Sequence, residues 1–258
     1  MNNKINAKKY HEAVSSYDES TISRMVCENY IQHNLKVPTG RAAFIAMIPK
    51  LKKHGSKIEN IRMLQDGKHI IMHHKWSNAL PFGFNETAAF HIIRFDNDNL
   101  ISEHWNVMTN LGKPNTSGRT LIDGKKEIKD TEKTEENKSI IKELIKNYIT
   151  LDKSGIVKII PLFFEKNFHQ HNENFSDGIE NIIENIIEET KFPHYQEQHA
   201  VFGEGNFILS ISEGIYLKKN SALYDLFMLE EGKIVAQWNI YQEIPTENLA
   251  NQNTMFDF

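Results

Sequence analysis

Tyr30-Ile31-Gln32-His33-Asn34, followed by Gly40, returns as Phe168-His169-Gln170-His171-Asn172, followed by Gly178. The step between them is 138 residues, and the same step carries Asp66-Gly67-Lys68 onto Glu204-Gly205-Asn206. Working outward, His104-Trp105-Asn106-Val107 answers Gln237-Trp238-Asn239-Ile240, and the tail Thr120-Leu121-Ile122-Asp123 answers Thr254-Met255-Phe256-Asp257. Five matches in one order mark a tandem duplication, and internal repetition decides the architecture before any local reading does. Between the copies, Lys125 to Lys138 reads KKEIKDTEKTEENK, with Ile128 its one apolar residue. Such a stretch cannot bury a core, so it is expected to be a solvated linker or an exposed first helical turn. The expected domains are residues 1–128 and 129–258.

Each copy changes period in the same order. In the second, Ile140, Ile141, Leu144, Ile145 and Tyr148 recur at helical spacing. Ile156 to Phe164 makes a second helix. Ile179 to Ile187 makes a third, opened by Ser176 and Asp177, stopped before Pro193, and read as core. Strand-like runs follow at 196–202, 206–213, 221–229 and 233–241, parted by Gly-containing turns. The first copy runs parallel, with Ala43 to Leu51 as its third helix and strands near 58–64, 68–78, 87–95 and 100–107. Helices first and strands afterwards give an α+β class: a curved antiparallel sheet with helices packed on its concave side, forming a cone with a pocket inside.

Composition narrows the function classes. The chain has 258 residues, a formal net charge of −4 and one cysteine, Cys27. A lone cysteine forms no internal disulfide and no cysteine-based zinc site. No apolar run reaches the ~18 residues needed to span a bilayer, and no secretory pattern follows the N-terminal lysines, so the expected compartment is the cytoplasm. No basic tract with interleaved aromatics invites nucleic acid. Charge is uneven, +5 over residues 1–124 and −9 over 125–258. The halves could therefore pair with each other, or the chain could homodimerise.

These residues resemble a known family. Tyr30–Arg41, the hairpin ending in His104–Asn106 and the tail Gly118–Gly124, with Gly203–Phe207 and Tyr224–Phe227 in the second copy, are similar to the SnoaL-like branch of the nuclear transport factor 2-like superfamily. The resemblance covers both copies. It implies two cone-shaped α+β barrels, frequent dimerisation and a deep apolar cavity. Some relatives are polyketide cyclases, which perform an intramolecular aldol condensation without a cofactor. It also implies His-Trp-Asp at the end of the last strand and Asp at the position of His91. Here Asn106 replaces that carboxylate, while the second copy keeps Asp225 but has Gln237 and Asn239.

Pairing Phe95 with Leu100 sets His91 opposite His104, with Asn106 on the same face and Trp105 on the other. A Glu230-Glu231-Gly232 turn sets Asp225 opposite Gln237, with Asn239 beside it. Proton abstraction next to a carbonyl needs a base and a donor for the enolate oxygen. His91, His104 and Asp225 are the candidate catalytic residues. Asn106, Gln237 and Asn239 are candidate donors, and His33 and His171 are candidates for the pocket mouth. The bland readings are a structural histidine pair, fold-specifying His33 and His171, and core or interface positions for Trp105 and Trp238. A zinc site among His69, His73, His74, His91 and His104 is disfavoured, because His73 and His74 point to opposite faces. The expectation is no metal, no cofactor, and a small, mostly apolar organic ligand. The chemistry would be aldol, isomerase or hydrolase type in one copy; the alternatives are a non-catalytic binding or association module, or a copy with a collapsed cavity.

Overall fold

The computed structural model describes residues 3–188 and 191–258. By contact, the chain divides into Met1–Leu111 with Pro245–Asp257, and Gly112–Ile244 with Phe258. Residues 112–128, appended by sequence to the first copy, thus group with the second unit, and 245–257 group with the first.

In the first unit, α1 (Asn3–Ser16) and α2 (Glu19–Met25) lead into β1 (Val26–Gln32). The Asp18 carboxylate accepts the Thr21 N–H at 3.0 Å, giving α2 its N-terminal cap. The segment expected as one helix from Ala43 to Leu51 is two, α3 (Arg41–Ile45) and α4 (Ile48–His54). Pro49 lacks an N–H and fits only a helix's first turn, so it restarts the helix rather than continuing it. Strands β2 (Lys57–Asp66), β3 (His69–Ser77), β4 (Glu86–Phe95) and β5 (Ile101–Asn110) complete a five-stranded sheet ordered β1-β5-β4-β3-β2. Four strands are antiparallel, as expected; β1 joins β5 in parallel, so the sheet is mixed and open rather than a closed barrel. The helices pack on the face carrying Ile70, Met72, Ala89 and Ile93. Each buried isoleucine or methionine there contributes about 1.5–3 kcal/mol.

The second unit repeats this with α5 (Thr134–Thr150), α6 (Lys153–Phe163), β6 (Phe164–Gln170), α7 (Ile179–Glu188), β7 (His194–Glu204), β8 (Phe207–Tyr216), β9 (Lys219–Glu230) and β10 (Lys233–Glu243). Its strand order is β6-β10-β9-β8-β7. Most of the segment 125–138 is exposed, as its composition suggests, yet it is tied to the turn between β7 and β8. Asn206 donates its N–H to Lys129 O, the Lys129 N–H returns to Asn206 Oδ1, and Asn137 Nδ2 donates to Gly205 O. In α7, Ile182 and Ile186 are buried in the core while Ile187 is exposed.

Both key hairpins are shifted from the expected register by two residues. Bulges between Arg94 and Phe95, and between Ile234 and Ala236, place His91 opposite Asn106 and Asp225 opposite Asn239. The second hairpin also turns on two residues, Glu231 and Gly232, both with positive φ, rather than three. A two-residue slip keeps every side chain on its face, so the grouping of polar residues survives.

The two tails close their units identically. In the first unit the ring of His33 stacks on Trp105, Trp105 Nε1 donates to Asp257 O, and His33 Nδ1 lies 2.7 Å from Thr254 O. In the second, His171 stacks on Trp238, Trp238 Nε1 donates to Asp123 O, and His171 Nδ1 meets Thr120 O and the Asp123 carboxylate. Gly124 makes this approach possible: its φ is +84°, and a Cβ there would sit 2.8 Å from Trp238 and 2.9 Å from His171. Gly124→Ala is therefore expected to destabilise the second unit by about 1–3 kcal/mol in urea titration, through strain and overpacking together.

Candidate functional site

In the first unit a small cavity of about 40 Å³ lies between α1, α4 and the helix-covered face of the sheet. Tyr10, Phe44, Trp76 and Met108 make much of its wall apolar, and His11, Gln32, His91, His104 and Asn106 supply polar groups. His91 and His104 reach it from β4 and β5, with His104 Nε2 2.9 Å from His91 Nδ1.

The proton positions follow from one backbone group. Asn34 donates its N–H to Gln32 Oε1 at 2.8 Å, which fixes the Gln32 amide with Nε2 pointing the other way. That Nε2 donates to Tyr30 Oη and lies 3.1 Å from His104 Nδ1; Tyr30 Oη is 2.8 Å from the same nitrogen. His104 Nδ1 is thus an acceptor, and the His104 proton sits on Nε2, from which it is donated to His91 Nδ1. His91 in its neutral form then carries its proton on Nε2, an atom buried without a hydrogen-bond partner. Burial, followed by the neighbouring imidazoles, holds His91 well below the usual histidine range and His104 down to about 3. The pair thus holds a neutral, buried N–H donor on a residue that lines the cavity. His104, engaged at both nitrogens, is not an available base, and His91 is a donor where the sequence suggested a base.

His11 on α1 lines the same cavity, and burial lowers it to about 4. Its ring lies 4.2 Å from that of His74, which lies 4.9 Å from His91. Four imidazoles therefore share the helix-covered face. His73 is on the other face against Phe90 and Arg62, and His69 lies near Trp105. Among the described residues, no three His, Cys, Asp or Glu side chains are placed to hold a metal ion.

In the second unit Asp225 is fully buried and caged. Tyr195 Oη donates to Oδ2 at 3.0 Å; Tyr241 Oη and Gln237 Nε2 donate to Oδ1, each at 2.9 Å. Gln237 is oriented by Gln170 Nε2, which donates to Gln237 Oε1. Burial pushes the Asp225 carboxyl up to about 6, against the pull of its donors. The adjoining chamber, about 20 Å³, is lined by Tyr195, Gln237, Asn239 and Tyr241 but not by Asp225. Asn239 Nδ2 donates to Tyr241 Oη, and Asn239 Oδ1 is buried without a partner.

His33 and His171 do not line either chamber; they hold the tails, and His171 borders a separate outer cleft. The sequence reading overlooked His11, although Ala7, Tyr10, His11 and Val14 stand at i, i+3, i+4 and i+7. In the repeated Gln-His-Asn, each glutamine accepts a following backbone N–H and turns its amide nitrogen toward the last strand.

A helix-covered, five-stranded mixed sheet is thus present twice. Among solved structures, the chain resembles a SnoaL-like protein of unknown function from Burkholderia thailandensis at 10% identity, over 42% of this chain and 94% of that one, with a TM-score of 0.36. It also resembles an NTF2-like protein of unknown function from Cytophaga hutchinsonii at 21% identity, over 46% and 95%, TM-score 0.35. A third is SalBIII, an epoxide hydrolase/cyclase-like enzyme in pyran ring formation in the polyether salinomycin, at 20% identity over 42% and 90%, TM-score 0.35. These are likenesses of fold. No family model and no curated protein matches the sequence.

Proposed function

We propose that the first unit binds a small neutral carbonyl compound and moves the proton α to that carbonyl without a cofactor. The observation that carries this reading is the His91 Nε2–H, a buried donor with no partner on the wall of an otherwise mostly apolar cavity. It donates to the carbonyl oxygen and strengthens that bond as enolate charge develops. His11, neutral at pH 7, accepts the α-proton, and returning it at another carbon isomerises the compound. A conjugate acid near 4 makes His11 a weak base, so turnover is slow. The cavity suits a guest of few heavy atoms.

The test is exchange of solvent deuterium into acetone, followed by NMR. Wild type is expected to exchange above background, and His11→Leu and His91→Leu to lose about a hundredfold in rate. His11→Leu should retain ketone binding, whereas His91→Leu weakens it. Background exchange in the wild type with ketone binding intact would leave a binding module, and no binding would remove the reading altogether.

A further inference from the structure

The second unit carries a different opening. A groove of about 760 Å³ runs over α5, α6 and the β8–β9 hairpin tip. Its volume falls in the range of small-molecule sites. The floor includes Ile156 and Ile186, and the rim carries Lys153, Lys191, Lys218 and His194 against one carboxylate, Asp152. That carboxylate already accepts the Gly155 N–H at the start of α6. The hairpin tip is costly to build. Leu217 and Lys218 both adopt left-handed backbone, with φ of 49° and 67°, while the hairpins at Gly67, Gly205 and Gly232 each place a glycine in at least one such position. Bulky residues are rare there, and strain of this kind persists where a side chain is needed. It sets an exposed leucine and a lysine side by side at the groove. Tyr148, Phe192 and Pro193 line both the groove and the inner chamber, so these three side chains form a wall between the two.

We propose that this groove binds an amphipathic carboxylate, an acyl chain lying across the apolar floor with its charged head at Lys153, Lys191 and Lys218. The rim's net positive charge selects the anion, and the floor selects the chain. This site is separate from the one proposed for the first unit and takes a ligand of another class.

Titration of the full chain with dodecanoate, below its micelle concentration, tests the proposal, with dodecanol as the neutral counterpart. Dodecanoate is expected to bind saturably and at least about tenfold more tightly than dodecanol. Lys191→Glu with Lys218→Glu should weaken dodecanoate by about tenfold or more and leave dodecanol within about twofold, with the melting temperature unchanged. His91→Leu should leave dodecanoate binding as in wild type, so this test stands apart from ketone exchange. Absence of saturable binding, equal affinity for acid and alcohol, or indifference to the charge reversals would overturn the proposal.

Discussion

Lowering the pH from 7 to 5 is expected to destabilise the first unit by several kcal/mol. His11, His74, His91 and His104 are buried, and burial keeps all four below the usual histidine range. The folded unit therefore leaves them neutral, while the unfolded chain takes up protons near pH 6.5. Over that window the unfolded state binds more protons, so stability falls as pH drops through 6.5. By pH 5 each histidine costs about 2 kcal/mol, and four together approach the whole stability of an ordinary domain. Asp225 acts in the opposite sense: its folded value is raised to about 6, so its burial penalty is relieved as pH falls from 6 toward 3.8. Calorimetry from pH 7 to 5 should thus show one transition moving down steeply while the other holds or rises. His74→Phe should remove one histidine's share of the slope. Melting that does not change over this range would refute the account.

Asp225→Ala is the substitution expected to damage the second unit most. It leaves Tyr195 Oη, Tyr241 Oη and Gln237 Nε2 buried with no acceptor. Each unsatisfied donor costs about 1–3 kcal/mol, so the loss in urea titration should exceed about 3 kcal/mol. Asp225→Asn keeps one acceptor oxygen and most of the shape, and should cost less than half as much. A loss below about 1 kcal/mol for alanine would mean that water already serves these donors.

The duplication, the order of helices and strands and the grouping of polar residues on the last two strands were all legible in the sequence, because each rests on periodicity or repetition. Register was not. The bulges after Arg94 and Ile234 depend on how the turns and core side chains settle together, and nothing in those residues announces them. That His91 and His104 share a face was legible, but where their protons sit was not, since that depends on a relay beginning at the Asn34 N–H. His11 stayed hidden because the argument began from the strands and a helix had to fold over them before it entered the cavity. Asp225 reads as a base until Tyr195, which follows Pro193 on β7, is brought beside it.

Each repeat surrenders its own tail and receives the other's, so the inherited segment and the folded body are different stretches of chain. A premature stop after Ile244 would thus strike the half made first on the ribosome, stripping the cover from the His33–Trp105 pair. That nascent half cannot be finished until residues 245–257 have been made.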